Sequence, residues 1–254
     1  KHTVKLVAEK YEAGVRHFIG IGGDGTLNEM LNAVLGSATF KAEEACVFGL
    51  LPVGTGNDWV RGNPEKITPK NLIEKLKAGK TMPHDVGVIE TNQSTTKHFF
   101  INVAGAGLDG CVVHEIEKGS ATGKKGKAVY LRSLLKALFS FKAPHCEIAI
   151  ENNLAFTGKT LLLAASKGQF FGGGMHISPL AKPANGMLDF TLVKKVSNLK
   201  TLPHLYKLFN GQIAAAPFVE KQTGTFCTVQ SAMALPIQAD GEWVGEAKTV
   251  TFSV

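Results

Sequence analysis

Cysteine is scarce: Cys46, Cys111, Cys146 and Cys227 are spread over 254 residues without one Cys-x-x-Cys pair. That spacing excludes a disulfide scaffold and a thiolate zinc site, and it reads as reduced thiols in the core of an intracellular protein. The eight histidines show no metal-ligand spacing either. No apolar run approaches the ~20 residues that cross a bilayer. No signal-peptide pattern opens the sequence, so a cytoplasmic location is expected. With 44% hydrophobic residues the composition excludes a collagen or a disordered tail.

Acidic residues are missing altogether between Lys118 and Lys142, where seven of the 28 Lys and Arg fall. Elsewhere 21 basic residues balance 21 acidic ones, so the net charge of +7 belongs to about a tenth of the chain. The first half of this stretch is a glycine-rich loop carrying Lys124, Lys125 and Lys127. Its second half has Leu131, Leu134, Leu135, Leu138 and Phe139 at helical spacing, with Arg132 and Lys136 on another face. A basic amphipathic helix behind a basic loop suits an anionic membrane surface. A core-packing helix with a solvated basic face explains the pattern equally well. Aromatic residues do not interleave with the basic ones outside this helix, which argues against nucleic acid.

Two styles of sequence follow one another. Residues 1–83 alternate helix and strand: helices over 3–13, 26–35 and 69–78, and buried strands over 16–21 and 46–51. That pattern predicts a parallel α/β sheet. With only two clear strands, this lobe is expected to lack its first strand. Residues 84–254 carry short strands over 84–90, 98–104, 145–151, 154–165, 186–194, 223–233 and 243–254. Helices are predicted near 107–117, 128–141 and 198–210. The second half therefore reads as a mainly antiparallel β-sandwich.

Gly20-Ile-Gly-Gly-Asp-Gly-Thr26 joins the first strand to a helix. Glycine lets backbone N–H groups approach a ligand closely, and the helix N-terminus favours phosphate. Asp24 within that loop repels phosphate unless Mg²⁺ bridges the two. Neither a Walker A loop nor a G-x-G-x-x-G fingerprint is present. Leu51-Pro-Val-Gly-Thr-Gly-Asn-Asp58 has the same placement after the next strand, at the carboxyl edge where α/β sheets bind ligands. Gln238-Ala-Asp-Gly-Glu-Trp243 reads locally as a hairpin turn.

Taken together, these motifs resemble the diacylglycerol kinase catalytic-domain family of lipid kinases. The match is carried by Gly22-Gly-Asp-Gly-Thr-Leu-Asn-Glu29, Leu51–Asp58, Phe171-Gly-Gly-Gly-Met175 and Asp240-Gly-Glu242, with Asn102-Val-Ala-Gly-Ala-Gly-Leu-Asp109 as a glycine-rich strand end. The resemblance implies an α/β nucleotide-binding lobe, similar to that of NAD kinases and phosphofructokinases, followed by a β-sandwich. It implies an enzyme that moves the γ-phosphate of ATP to a hydroxyl of diacylglycerol or a related lipid, with peripheral membrane contact. Gly22, Gly23, Asp24, Gly25, Thr26, Leu27 and Asn28 would wrap the triphosphate, with Thr55, Asn57 and Asp58 as further contacts. Asp24 and Asp58 would act through Mg²⁺ and its waters. The general base would be Glu242 or Asp240, a choice the sequence leaves open. A homodimer also stays open.

One departure stands out. Where the resemblance implies an acidic pair that helps hold a structural Mg²⁺, this chain reads Ala184-Asn185 before Gly186. Asn185, Lys182 and Met187 could supply only uncharged oxygens, so weak metal affinity is expected. Two other readings remain: an NAD kinase, which shares the Gly-Gly-Asp-Gly loop, and a catalytically silent lipid- or nucleotide-binding module.

Overall fold

A computed structural model describes residues 2–41, 44–63, 65–119 and 127–254. The expected loop lysines Lys124 and Lys125 lie outside the described residues. The N-terminal lobe runs α1 (His2–Glu12), β1 (His17–Gly22), α2 (Asp24–Leu35), β2 (Val47–Pro52), α3 (Asp58–Arg61) and α4 (Pro69–Lys77). Strands β1 and β2 pair in parallel, from His17 opposite Val47 to Gly22 opposite Pro52. Leu27, Met30, Leu31 and Val34 form the buried stripe of α2 and meet Val7 and Tyr11 of α1. Helix α4 starts where a capping box predicts: Thr68 accepts from the Asn71 N–H, Asn71 answers the Thr68 N–H, and Pro69 opens the first turn.

Both strands are less enclosed than their apolar sequence predicts. Leu50 is the fully buried residue of β2, and Ile19 and Ile21 of β1 are exposed. Helix α2 begins two residues earlier than expected, so Asp24 and Gly25 form its first turn instead of a loop.

The second half contains β3 (Gly87–Thr91), β4 (Ser94–Phe100), β5 (Val103–Gly107), α5 (Leu108–Gly119), α6 (Lys127–Ser140), β6 (His145–Ile150), β7 (Asn153–Ser166), β8 (Phe170–Phe171), β9 (Met175–His176) and β10 (Leu188–Lys194). It ends with α7 (Asn198–Thr201), a 3-10 turn over Leu202–Leu208, β11 (Val219–Gly224), β12 (Phe226–Ala239) and β13 (Glu242–Ser253). Pro203 removes a helical donor, so the single helix expected over 198–210 becomes α7 plus a 3-10 turn.

The main ladder is antiparallel in the order β11-β10-β7-β5-β12-β13-β3-β4, and β6 joins β12 to β7. Ile89 and Phe100 near one end of this ladder share a core with Phe190 and Leu192 near the other, so the sheet must fold over into a sandwich. Along β7, Leu163 and Ala165 enter that core, while Leu162 and Ala164 face a second one roofed by α5 and α6. Burial on both faces explains why residues 161–165 of this strand are an unbroken apolar run. On α6 the buried residues are Leu134, Ala137 and Leu138, while Leu131 and Phe139 from the expected apolar stripe are exposed.

Candidate active site

The two glycine loops meet at the carboxyl edge of β1 and β2. The N–H groups of Val53 and Gly54 both donate to Gly22 O, at 2.8 and 3.1 Å. A Cβ at Gly54 would lie 2.6 Å from the Gly23 Cα, so a side chain there would push the loops apart. Asp24, at the start of α2, reaches across to the second loop. Its carboxylate accepts the N–H of Asp58 at 2.9 Å and of Trp59 at 3.0 Å, capping α3 from another helix. Asn57, at φ +51°, closes its own loop by donating to Gly54 O at 2.7 Å. Thr55 stays exposed at the tip.

Asp58 is buried and accepts the Gly173 N–H at 2.6 Å. Burial raises its carboxyl above the ordinary range, that hydrogen bond works against the rise, and nearby Asp24 adds to it. Gly172, Gly173 and Gly174 all have positive φ, which lets the Phe171–Met175 segment turn its backbone toward Asp58.

From the far end of the chain comes Asp240. Its carboxylate accepts four N–H donors: Ile101 N at 2.9 Å, Asn102 N at 2.9 Å, Val103 N at 3.0 Å and Asn28 Nδ2 at 2.9 Å. The three backbone donors are consecutive. This is why the single strand expected over 98–104 breaks into β4 and β5 at Ile101-Asn102. Burial still outweighs these donors and pushes the Asp240 carboxyl up to about 6. Glu242 is exposed, and its Oε1 lies 2.6 Å from where a Cβ on Gly25 would stand, beside the start of α2.

These elements enclose a cavity of about 150 Å³. Asp24, Asp58 and Asp240 line its polar side, and Val103, Val113, Tyr130 and Phe171 its apolar side. Among the described residues no three acidic, histidine or cysteine side chains converge on one metal position, so a divalent ion here would need oxygens from a bound nucleotide beside one or two of these carboxylates. Asp58 Oδ1 makes no hydrogen bond among the described residues, and the Arg61 guanidinium stands 3.5 Å from it as an ion-pair partner.

Two expected nucleotide contacts are committed elsewhere. The Leu27 side chain is 0% exposed in the lobe core. Asn28 donates to Asp240 and to Phe99 O and so ties α2 to β4.

Two buried residues beside the site carried no expected role. Asp109 accepts from Gln238 Nε2 at 3.0 Å, and Gln238 Oε1 accepts the Gly241 N–H at 2.9 Å, steadying the turn that carries Asp240 and Glu242. Burial pushes the Asp109 carboxyl up to about 7. Lys167 is also 0% exposed. Its ammonium donates to Asp85 Oδ2 at 2.8 Å, Asn185 Oδ1 at 2.8 Å and Met187 O at 2.7 Å. Asn185 and Met187, expected to ligate a structural Mg²⁺, therefore do come together, but around an ammonium. Lys182, the third expected ligand, is exposed. With Lys167 in that position these residues do not fit a metal ion.

The model of the diacylglycerol kinase catalytic domain matches residues 1–89, and that of the YegS C-terminal NAD kinase beta sandwich-like domain matches residues 102–254. A probable lipid kinase YegS-like protein of Chromohalobacter salexigens is 28% identical over 245 residues, covering 94% of this chain and 73% of that one. One of Serratia proteamaculans is 28% identical over 224 residues, covering 86% and 70%. Among solved structures, a diacylglycerol kinase from Bacillus anthracis superposes with a TM-score of 0.71 at 17% identity, over 99% of this chain and 79% of that one. An NAD kinase from Archaeoglobus fulgidus gives 0.50 at 11% identity, over 98% and 84%. The chain belongs to the diacylglycerol kinase catalytic-domain family, in the branch that carries the YegS-type β-sandwich.

Proposed function

We propose that the interlobe cavity transfers the γ-phosphoryl group of ATP to a hydroxyl of diacylglycerol or a related lipid. The observation that carries this reading is the cavity's two-sidedness, with three carboxylates opposite Val113, Tyr130 and Phe171. At about 150 Å³ it is smaller than the ~300–1,000 Å³ of a whole-ligand pocket. It suits the reacting end of a nucleotide that lies along the glycine loops. The N-terminus of α2 then faces the phosphates with its positive dipole end.

Asp24 and Asp58 would hold Mg²⁺, which when bound screens the phosphate charge. Glu242, exposed beside α2, takes the proton of the lipid hydroxyl. The hydroxyl oxygen bonds to the γ-phosphorus as the bond to the leaving ADP oxygen breaks. Asp240, with four donors on its carboxylate, positions the turn that carries Glu242. Membership of a kinase family supports the reaction class, and relatives named as lipid kinases favour a lipid over NAD as acceptor.

The partner surface belongs to the same proposal. Helix α6 exposes Leu131 and Phe139 beside Arg132 and Lys136, with Lys136 paired to Glu115. Asn198 donates to Leu138 O and brings α7, with exposed Leu199, to the same end. Apolar side chains among basic ones suit the surface of an anionic bilayer.

Radiolabelled ATP offered with a panel of lipids and NAD tests the reading. Label is expected in a lipid. Transfer to NAD would make the protein an NAD kinase, and ATP binding without transfer to any acceptor would make it a binding module.

A further inference from the structure

Lys167 follows β7 directly, where a lysine would ordinarily reach solvent, yet its side chain is 0% exposed. A buried ammonium is costly unless every donor is met. Here all three are, by oxygens of Asp85, Asn185 and Met187 at 2.7–2.8 Å. Asp85 Oδ2 also accepts the N–H groups of Asn185 at 2.9 Å and Gly186 at 2.7 Å, fixing the 185–187 loop around the ammonium. Burial would raise the Asp85 carboxyl, but Lys167 and these N–H groups outweigh it and hold the carboxyl below the usual range.

The cluster joins the lobes. The Asp85 N–H donates to Pro183 O at 2.7 Å, and the Asp85 carbonyl is 2.7 Å from His84 Nδ1. His84 Nε2 in turn accepts from the indole of Trp59 at 3.2 Å, next to Asp58. On its other side, the backbone N–H groups of Lys167 and Gly168 donate to Asn102 O, whose own N–H holds Asp240.

A carboxylate, an amide oxygen and a backbone carbonyl converging on one positive centre make the donor set of a hard divalent ion. We propose that the Lys167 ammonium is a built-in cation standing where a divalent ion would otherwise close this seam. The seam is thereby independent of metal, and shortening the side chain converts it into a divalent-cation site. Charge balance accounts for the sequence at this point. A single positive charge is neutralised by Asp85 alone, so acids at Ala184 and Asn185 would leave an uncompensated negative excess.

The test reads metal content and melting temperature in wild type and in Asp58→Asn, so that an ion held at the active-site carboxylates is told apart from one at the seam. Wild-type protein dialysed without nucleotide is expected to carry no stoichiometric divalent ion and to melt at the same temperature with or without EDTA. Lys167→Met should lower the melting temperature by roughly 10 °C, and millimolar CaCl₂ should not restore it, because the thioether fills the space. Lys167→Ala should recover several degrees in CaCl₂, and more when combined with Asn185→Asp, which adds a second carboxylate. A stoichiometric divalent ion, or melting sensitive to EDTA, that persists in Asp58→Asn and so does not sit at the active-site carboxylates overturns the proposal even if the Lys167 variants fail to fold. An Ala variant no more responsive to CaCl₂ than the Met variant overturns it as well.

Discussion

Asp240 and Lys167 are opposite charges anchored to the same residue, Asn102. Its N–H donates to the Asp240 carboxylate, and its carbonyl accepts the backbone N–H groups of Lys167 and Gly168. The two cradles are built from different materials. Three of the four donors around Asp240 are backbone groups, supplied by Ile101, Asn102 and Val103 whatever their side chains. Two of the three acceptors around Lys167 are side chains, Asp85 and Asn185. A backbone cradle survives substitution of its members, whereas a side-chain cradle must change in concert with its occupant. The anion therefore stands on a fixed floor beneath the cavity. On the proposal above the cation at the seam is exchangeable, and Ala184 and Asn185, uncharged where the resemblance implies an acidic pair, agree with a singly charged occupant.

The sharpest way to break this comparison is to separate anchoring from chemistry at the Asp240–Glu242 turn. Glu242→Gln should lower kcat by roughly 10²–10⁴-fold, the usual contribution of a general base. Because Glu242 is exposed, its stability change should stay within about 0.5 kcal/mol. Asp240→Asn presents an NH₂ to N–H donors and leaves some of them unpaired at about 1–3 kcal/mol each, so activity and melting temperature should fall together. Kinetics and calorimetry on both variants decide the matter. An active Glu242→Gln enzyme, with Asp240→Asn inactive at an unchanged melting temperature, would reverse the roles.

A smaller effect asks whether the two cradles communicate through Asn102. Lys167→Met removes the buried member of a pair whose other member, Asp85, is 28% exposed, so the loss should fall at the lower end of the about 3–5 kcal/mol of a fully buried pair. Asn28→Ala removes the one side-chain donor of the other cradle. If Asn102 transmits strain, the double variant should deviate from additivity by more than the ~0.5 kcal/mol seen for independent sites. Denaturant unfolding of the four proteins measures the coupling, and strict additivity would make the cradles separate devices.

What the sequence revealed follows the same division. Glycine loops are legible because a close backbone approach demands a particular residue type, as at Gly54 against Gly23. Period-two burial and an apolar run made β7 legible. The break between β4 and β5 was not, because the carboxylate that causes it lies 138 residues away from Asn102. Nor was Lys167: a lysine after an apolar strand ordinarily marks its solvated end, and only the fold shows three oxygens waiting there. Asn185 and Met187 were legible as ligand positions, but the identity of their cation depended on a residue 18 positions earlier than Asn185, just past the end of β7. The exposure of Phe139 was hidden for a related reason, since helical spacing defines a stripe without fixing which part of it the neighbouring sheet covers.

The smallest expected effect is one of pH, and it has opposite sign at the two carboxylates. Asp240 has a folded-state pKa of about 6, above the ~3.9 of an unfolded aspartate. Its native form holds the proton more tightly, so this group favours the folded state at low pH and loses that advantage as pH rises toward 6. Asp85 is held below the usual range, so its contribution is complete above the unfolded value and is lost only as pH falls through the lowered one. The melting-temperature difference between wild type and Asp240→Asn should therefore change between pH 4.5 and 7, with the wild type gaining toward the acid end. The difference between wild type and Asp85→Asn should stay flat over that window and narrow only in stronger acid. Melting curves at stepped pH check both, and parallel profiles for the two variants would show that the carboxylates are held alike, as the structure says they are not.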